Sequence, residues 1–256
     1  MTASLTALSD VAAMTGRTLR ITVRQPENLL LGVVLPVMIT LVFVTAFGGA
    51  IEAATGGEYI TYVVPGVILL CAGYGAANTA VGLVTDAGGP FLDRFRSLPV
   101  APSSLLWAHG QVSLVRNLTS TAVVVTVALL LGFRSAAGPT AWLAVVGLVT
   151  AYVAAISAVA VFIGVVVRSA EAAGGFAFAM LFLPYVSSAF VPVRTLPSWL
   201  APVAEHQPVT PTTEAIRSLL QGTPVGSHAW TALAWTTTVT VVFATAAAWV
   251  FRRRGR

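Results

Sequence analysis

The chain lacks several residue types to a degree that excludes whole classes of protein. Only 9% of its 256 residues are charged, and lysine occurs nowhere. A soluble domain carries about 25% charged residues, so these charges are too few to cover a surface that faces water. Without a lysine ammonium, the chain cannot form a Walker-A phosphate loop, a Schiff-base lysine or a pyridoxal site. The single cysteine, Cys71, cannot form a disulfide within the chain.

Apolar sequence is what the chain has in abundance. Hydrophobic residues make up 57% of it, and the mean hydropathy is +0.87. A helix needs about 20 apolar residues to cross the hydrocarbon core of a bilayer. Six runs meet this requirement: Leu29–Gly49, Ile60–Leu83, Val115–Phe133, Ala141–Val167, Ala172–Pro192 and His228–Phe251. The sequence therefore predicts an all-α integral membrane protein with six transmembrane helices.

The segment before the first run, residues 1–28, has a different pattern. Apolar side chains recur at helical spacing, with Asp10 and three arginines between them. This pattern is typical of an amphipathic helix lying on the membrane surface; the alternative is a polar tail without fixed structure. The membrane domain then occupies residues 29–251, and a basic tail follows at 252–256.

The distribution of arginine predicts the orientation. Ten arginines fall on the side that holds both termini: Arg17, Arg20, Arg24, Arg94, Arg96, Arg168, Arg252, Arg253, Arg254 and Arg256. Only Arg134, Arg194 and Arg217 fall on the other side. Positive residues concentrate in cytoplasmic loops, so both termini are predicted to be cytoplasmic. Because the arginines are scattered between apolar runs, they indicate a membrane and not a nucleic-acid partner.

The polar residues point away from chemistry within the membrane. Every carboxylate lies outside the predicted spans or at their edges, whereas ion-coupled carriers usually bury such groups. Arg116, near the cytoplasmic end of the third span, is predicted to extend toward the headgroups; a role in a substrate path is the alternative. His109, His206 and His228 fall in loops or at span ends, and no cluster has metal-ligand spacing. We therefore predict no catalytic residue and no metal site.

A cytoplasmic loop at 84–104 carries one structured feature. Gly88, Gly89 and Pro90 break the preceding helix. A short amphipathic helix with an apolar stripe and a charged edge is predicted to follow, and its residues are Phe91, Leu92, Asp93, Arg94, Phe95, Arg96, Leu98 and Pro99. This helix is suited to docking a cytoplasmic partner; the alternative is a plain connector.

The segment 184–227 is rich in proline and also contains Trp199 and a short amphipathic stretch at Glu214–Gly222. We predict that it dips back into the outer leaflet as a re-entrant segment, because irregular backbone at membrane depth must be buried in protein or line a cavity.

Two stretches carry a resemblance to a known family: "LDRFRSLPVAPSSL" and "SSAFVPVRTLPSWLAPVAEHQPVTPTTEAIRSLLQG". Together with the six-span layout, they resemble type-two ATP-binding-cassette exporter permeases, in particular the daunorubicin-resistance type of actinobacteria. The resemblance implies a permease without its own ATPase site, located in a bacterial cell membrane. It also implies two copies of a separate ATP-binding subunit, which supply ATP and Mg²⁺. In the 84–104 coupling loop, it makes the part around Asp93–Pro99 the coupling helix.

A second permease, identical or related, completes the complex that the resemblance implies. By resemblance the first and fifth spans face this partner, and the fifth opens with small residues that include Gly174, Gly175, Ala177 and Ala179. Small residues allow helices to approach closely in lipid. The expected function is efflux of a hydrophobic or amphipathic drug-like compound. The alternatives are export of a lipid or lipid-linked glycan, an ion-coupled carrier, and a membrane assembly factor that transports nothing.

Overall fold

The computed structural model describes residues 2–49, 52, 58–88, 97, 100 and 103–254. Nearly all of these residues are helical, and no strand occurs among them. Within these ranges nine α-helices follow one another: α1 (Thr2–Val23), α2 (Pro26–Val42), α3 (Tyr59–Gly88), α4 (Ser104–Leu130), α5 (Pro139–Val166), α6 (Ala170–Phe182), α7 (Ala201–His206), α8 (Val209–Gln221) and α9 (His228–Arg254). A π-helical turn extends α2 over Phe43–Phe47, and 3-10 turns occupy Leu183–Val186 and Val193–Thr195.

Local sequence explains where several helices begin and end. Pro26 and Pro139 open α2 and α5, where a missing N–H costs nothing. Ser169 caps α6 by accepting a hydrogen bond from the backbone N–H of Ala172 at 3.1 Å. Gly222 ends α8 in the left-handed conformation, with φ of 68°, which glycine adopts without a steric penalty.

Four helices in the described part of the chain, namely α3, α4, α5 and α9, are long and apolar enough to cross a membrane. Two shorter apolar helices correspond to the first and fifth predicted spans, at Gly32–Ala46 and Ala170–Val186. The prediction of an all-α membrane protein is therefore confirmed, and four of the six predicted spans have helices of full length.

The largest difference between a predicted span boundary and the observed helix is at the start of the third span. Its helix begins at Ser104 and not near Val115, so Arg116 lies well inside α4. The fifth run ends its α-helix at Phe182 and continues as a 3-10 turn that contains Pro184, since proline cannot donate to the preceding turn.

Helix α3 lies at the centre of the bundle and packs against α2, α4, α5, α6 and α8. Side chains along it are fully buried, among them Val63, Leu69 and Leu83. Helix α5 also packs against α9 and α4, and α1 lies along α4 and α2. Gly164 of α5 permits a close approach to α3, because a Cβ at this position would stand 2.9 Å from the carbonyl oxygen of Ala80.

Candidate transport cavity and the polar clusters around it

An apolar cavity of about 480 Å³ lies between α2, α3 and α6. Helix α3 contributes Tyr74 and Asn78, and the other two helices contribute mainly aliphatic and aromatic side chains. The full lining is Leu35, Ile39, Leu70, Tyr74, Ala77, Asn78, Gly174, Leu181, Phe182 and Tyr185. A site that is mostly apolar with a few polar groups suits a hydrophobic or amphipathic small molecule.

Aromatic packing joins this cavity to the Tyr59 end of α3. Tyr185 lines the cavity and stacks on Phe190, with ring centroids 4.8 Å apart. Phe190 in turn packs on Phe43 in the π-helical turn after α2, at 4.9 Å. The hydroxyl of Tyr59 donates to the carbonyl oxygen of Phe190 at 3.1 Å. These contacts fasten the backbone that follows α6 to α2 and α3.

Residues 183–222, which we call the cap, fold back over the Tyr59 end of α3. Gln207 donates its amide N–H to the carbonyl oxygens of Leu183 and Val186, and the backbone N–H of Ser188 donates to the Thr210 hydroxyl at 3.3 Å. These bonds satisfy the irregular backbone from within the protein. The predicted re-entrant segment at 184–227 overlaps the cap; that it re-enters the outer leaflet stays a prediction.

Arg217 of α8 holds the cap to α3, and we call its set of contacts the Arg217 latch. The side chain is only 7% exposed. Its guanidinium donates to the carbonyl oxygen of Tyr62 at 3.0 Å and to that of Ser188 at 2.8 Å, and it pairs with Glu214. It also lies 3.8 Å from the centre of the Tyr62 ring, a cation–π geometry.

At the opposite, Gly88 end of α3, three helices meet at Asp86. Arg17 of α1 donates to both carboxylate oxygens, at 2.9 and 3.2 Å. His109 of α4 places Nε2 at 3.1 Å from the same carboxylate. This Asp86 cluster therefore ties α1 and α4 to the last turn of α3, shortly before the predicted docking residues 91–99.

A polar cavity of about 320 Å³ extends from the Asp86 cluster toward the middle of the bundle. Hydroxyls and amides from α1, α3 and α4 line much of it, including Thr22, Asn78 and Ser113. Arg116 lies along its wall and donates to the Thr79 hydroxyl at 2.7 Å and to the Gly75 carbonyl oxygen. The prediction that Arg116 extends to the headgroups is wrong, because its guanidinium binds a neighbouring helix.

His109, predicted to fall in a loop or at a span end, is not in a loop: it lies in the second turn of α4, near the start of the helix. It is 6% exposed within α4 and contacts Asp86. His206 and His228 are indeed at helix ends. The sequence did contain a signal: His109 and Arg116 are seven residues apart, so two helical turns place them on one face. The predicted third span begins at Val115, so it leaves His109 outside the helix that contains Arg116.

The predicted docking residues lie outside the described residues: Phe91, Leu92, Asp93, Arg94, Phe95, Arg96, Leu98 and Pro99. Of the predicted dimer residues, Gly175 and Ala179 are exposed on α6, and Gly174 is half-buried. A Cβ at Gly174 or Gly175 would have no described atom within 4 Å. Ala177 belongs to the same helix, but its side chain lies outside the described part of the structure.

Comparison with known proteins identifies the family of this chain. The model of the ABC-2 type transporter family matches residues 9–220. The daunorubicin resistance ABC transporter permease protein DrrB1 of Streptomyces coeruleorubidus is 30% identical over 202 residues, covering 77% of this chain and 70% of the relative. The probable doxorubicin resistance ABC transporter permease protein DrrC of Mycobacterium tuberculosis is 30% identical over 227 residues, covering 86% and 80%. The resemblance seen in the sequence is thus confirmed, and the chain belongs to the ABC-2 type transporter family.

Proposed function

We propose that the chain is the membrane subunit of an ATP-driven exporter that moves an amphipathic, drug-like compound out of the cell. The observation that carries this proposal is the apolar cavity between α2, α3 and α6, with Tyr74 and Asn78 as its polar groups on α3. The names of the relatives support a drug-like substrate, since both are called resistance permeases. Family membership disfavours the ion-coupled carrier and the assembly factor.

Six helices cross the membrane in this proposal. Helix α2 and its π-helical turn run without a break from Pro26 to Phe47. At about 1.5 Å per residue this length matches a hydrocarbon core of about 30 Å. Helix α6 and the 3-10 turn after it, Ala170–Val186, form the other short span. The four long apolar helices complete the set.

Energy reaches the cavity from a separate chain. As in other permease subunits, ATP is bound and hydrolysed, with Mg²⁺, by two ATP-binding subunits. These dock on the loop after Gly88, whose predicted coupling helix is residues 91–99. The Asp86 cluster supports this assignment, because it fixes the end of α3 against α1 and α4. Displacement of the loop would then be transmitted to three helices at once.

A second permease closes the cavity in this proposal. Its lining includes Gly174 and Phe182 of α6 and Leu35 of α2, the two spans that by resemblance face a sister permease. Gly175 and Ala179 lie exposed on the same helix. The complex sits in a bacterial cell membrane with both termini in the cytoplasm, and the cap then lies outside.

The cavity is tested by filling it. Ala77→Trp introduces a large side chain from α3, and Ala144→Trp introduces the same side chain on the exposed face of α5. Doxorubicin retained in cells is measured by its fluorescence, with membrane levels of each variant checked by immunoblot. We expect cells that express Ala77→Trp to retain as much doxorubicin as cells without the chain. Cells that express Ala144→Trp should export it like cells with the wild type.

Two results would contradict the proposal. The cavity would not be the transport route if Ala77→Trp exported doxorubicin at the wild-type rate. Drug export itself would be refuted if expression of the wild-type chain with its ATP-binding partner changed the retention of neither doxorubicin nor daunorubicin.

A further inference from the structure

Arg116 carries a charge that the described protein does not balance. One of its terminal nitrogens, Nη2, donates to the Thr79 hydroxyl and the Gly75 carbonyl oxygen. Its Nε is buried and has no hydrogen-bond partner among the described residues. In the part of the chain that the structure describes, no carboxylate lies within 4.0 Å of the guanidinium. Arg116 is half-buried, and a cation held inside a membrane protein without a counter-charge is costly.

The acidic residue in the lining of the polar cavity, Asp86, is already paired with other side chains. Asp86 accepts from Arg17 and contacts His109. It also lies seven residues from Thr79 along α3, two turns or about 10.5 Å toward the Gly88 end. Arg116 is therefore left to face a polar cavity of about 320 Å³ whose walls offer hydroxyl and amide groups.

The polar and apolar cavities adjoin at one side chain, because Asn78 lines both. An amphiphile could then place its apolar part between α2, α3 and α6, and its polar group near Arg116. We infer that Arg116 and the polar cavity form a binding site for an anionic oxygen group, a phosphate or carboxylate, carried by a membrane amphiphile. The guanidinium supplies the charge and N–H donors on the side that lines the polar cavity.

Two sources could present such a group: the headgroup of an anionic phospholipid, or an acidic group on an exported compound. The lipid source does not depend on the proposed drug export. The compound source rests on that proposed function. Binding is therefore measured directly, so that failure to export doxorubicin and failure of the anion site are separate results.

The experiment uses the full chain in phosphatidylcholine nanodiscs. In one arm, native mass spectrometry compares retention of phosphatidylglycerol with that of phosphatidylcholine. In the other arm, fluorescence titration compares cis-parinaric acid with its methyl ester. We expect the wild type to prefer the anionic member of at least one pair. Arg116→Gln should reduce that preference about tenfold or more, as expected for the loss of a charge-assisted hydrogen bond. The pair that shows the preference identifies the source.

Matched variants separate binding from folding. Arg134→Gln removes a charge from an arginine that follows α4 and donates to the carbonyl oxygens of Leu129 and Phe133, and it should bind like the wild type. Arg116→Lys keeps the charge and should retain part of the preference. Thr22→Trp fills the cavity from α1 without altering Arg116 and should abolish binding. The inference is overturned if the wild type prefers neither anion, or if Thr22→Trp and a folded Arg116→Gln both keep the preference.

Discussion

At the scale of single residues, two arginines inside the helical bundle differ in how their charges are met. Arg217 pairs with Glu214 and donates to two backbone carbonyl oxygens, so its guanidinium is well satisfied. Arg116 donates to the Thr79 hydroxyl and the Gly75 carbonyl oxygen, and its buried Nε has no partner among the described residues. The contacts of Arg217 are typical of a structural residue that holds two parts of the fold together. The contacts of Arg116 suit a site that is completed by a ligand.

The Arg217 latch should contribute strongly to stability. In Arg217→Gln the Glu214 carboxylate loses its counter-charge and the carbonyl oxygens of Tyr62 and Ser188 lose a charged donor. Breaking such a buried pair costs about 3 kcal/mol, so we expect Tm in detergent to fall by about 5 °C or more. Thermal unfolding followed by size-exclusion chromatography measures this, with Arg194→Gln, an exposed arginine in the cap, as control.

A double variant separates the ion pair from the other contacts. Arg217→Gln with Glu214→Gln should recover part of the lost stability, because it no longer leaves a carboxylate unpaired. If Arg217→Gln unfolded at the wild-type temperature, the latch would have no structural role.

Sequence alone could not assign these two arginines. Both were placed near the membrane surface, because charge and hydropathy were the only information available. Whether an arginine is buried depends on which helix lies opposite, and residues 62 and 217 are brought together only by the tertiary fold. The spacing of His109 and Arg116 predicts a shared helix face, but no local pattern reveals which residues of another helix lie opposite an arginine.

At the scale of helices, the prediction succeeded where the bilayer sets the length. An apolar run of about 20 residues must form a helix in lipid, because its backbone has no other way to satisfy its hydrogen bonds. The start of α4 was missed because His109 and Ser113 lower its hydropathy. These side chains are buried against Asp86 and Ser157, so their polarity is satisfied inside the bundle.

The loop between α3 and α4 should dock the ATP-binding subunit through its aromatic residues. Phe95→Ala should lose about 2 kcal/mol of binding energy, roughly a thirtyfold weaker association, as for a buried aromatic anchor. Arg96→Ala should lose less and make binding more sensitive to salt, because charges at a rim guide orientation more than affinity. Co-purification with a tagged ATP-binding subunit at two salt concentrations measures both.

Both loop variants should insert normally, since neither changes a span. Full association and full substrate-stimulated ATP hydrolysis in Phe95→Ala would mean that the loop is only a connector. The α1 segment around Arg17 would then be the better docking surface.

Helix α6 should form the contact with the second permease. Gly175→Leu adds a bulky side chain on a face that is open in the single chain, and it should weaken association by separating the two helices. Gly147→Leu is the control, because Gly147 is exposed on α5 and also faces open space. Cross-linking in membranes measures the dimer fraction, and an unchanged fraction in Gly175→Leu would exclude this interface.

At the scale of the whole molecule, α3 connects the features that transport requires. The Arg217 latch contacts Tyr62 near one end, the two cavities meet at Asn78, and the Asp86 cluster holds the other end. Tyr62 and Asp86 are 24 residues apart, or about 36 Å along a helix. Movement of the Asp86 end would therefore reach the cavities and the cap through one rigid element.

The apolar cavity had no signature in the sequence. Its walls use the same leucine, phenylalanine and alanine that face lipid, so periodicity cannot distinguish the two environments. The family resemblance, in contrast, was readable because it rests on the local motifs of the 84–104 loop and of the cap. The sequence thus predicted the transporter family, whereas the tertiary fold was needed to locate a cavity that could bind a substrate.

The proposed orientation of the chain in the membrane can be tested by cysteine labelling. Ten arginines on the side of the termini, against three on the other side, place residues 4 and 255 in the cytoplasm and the cap outside. The background variant is Cys71→Ala, which removes the buried native thiol, and single cysteines replace Ser4, Ser198 or Gly255. In intact cells an impermeant maleimide should label only Ser198→Cys, whose neighbour Trp199 is 74% exposed. After the cells are broken open, all three should react. Labelling of position 4 or 255 in intact cells would reverse the orientation and, with it, the assignment of the Asp86 end to the ATP-binding partner.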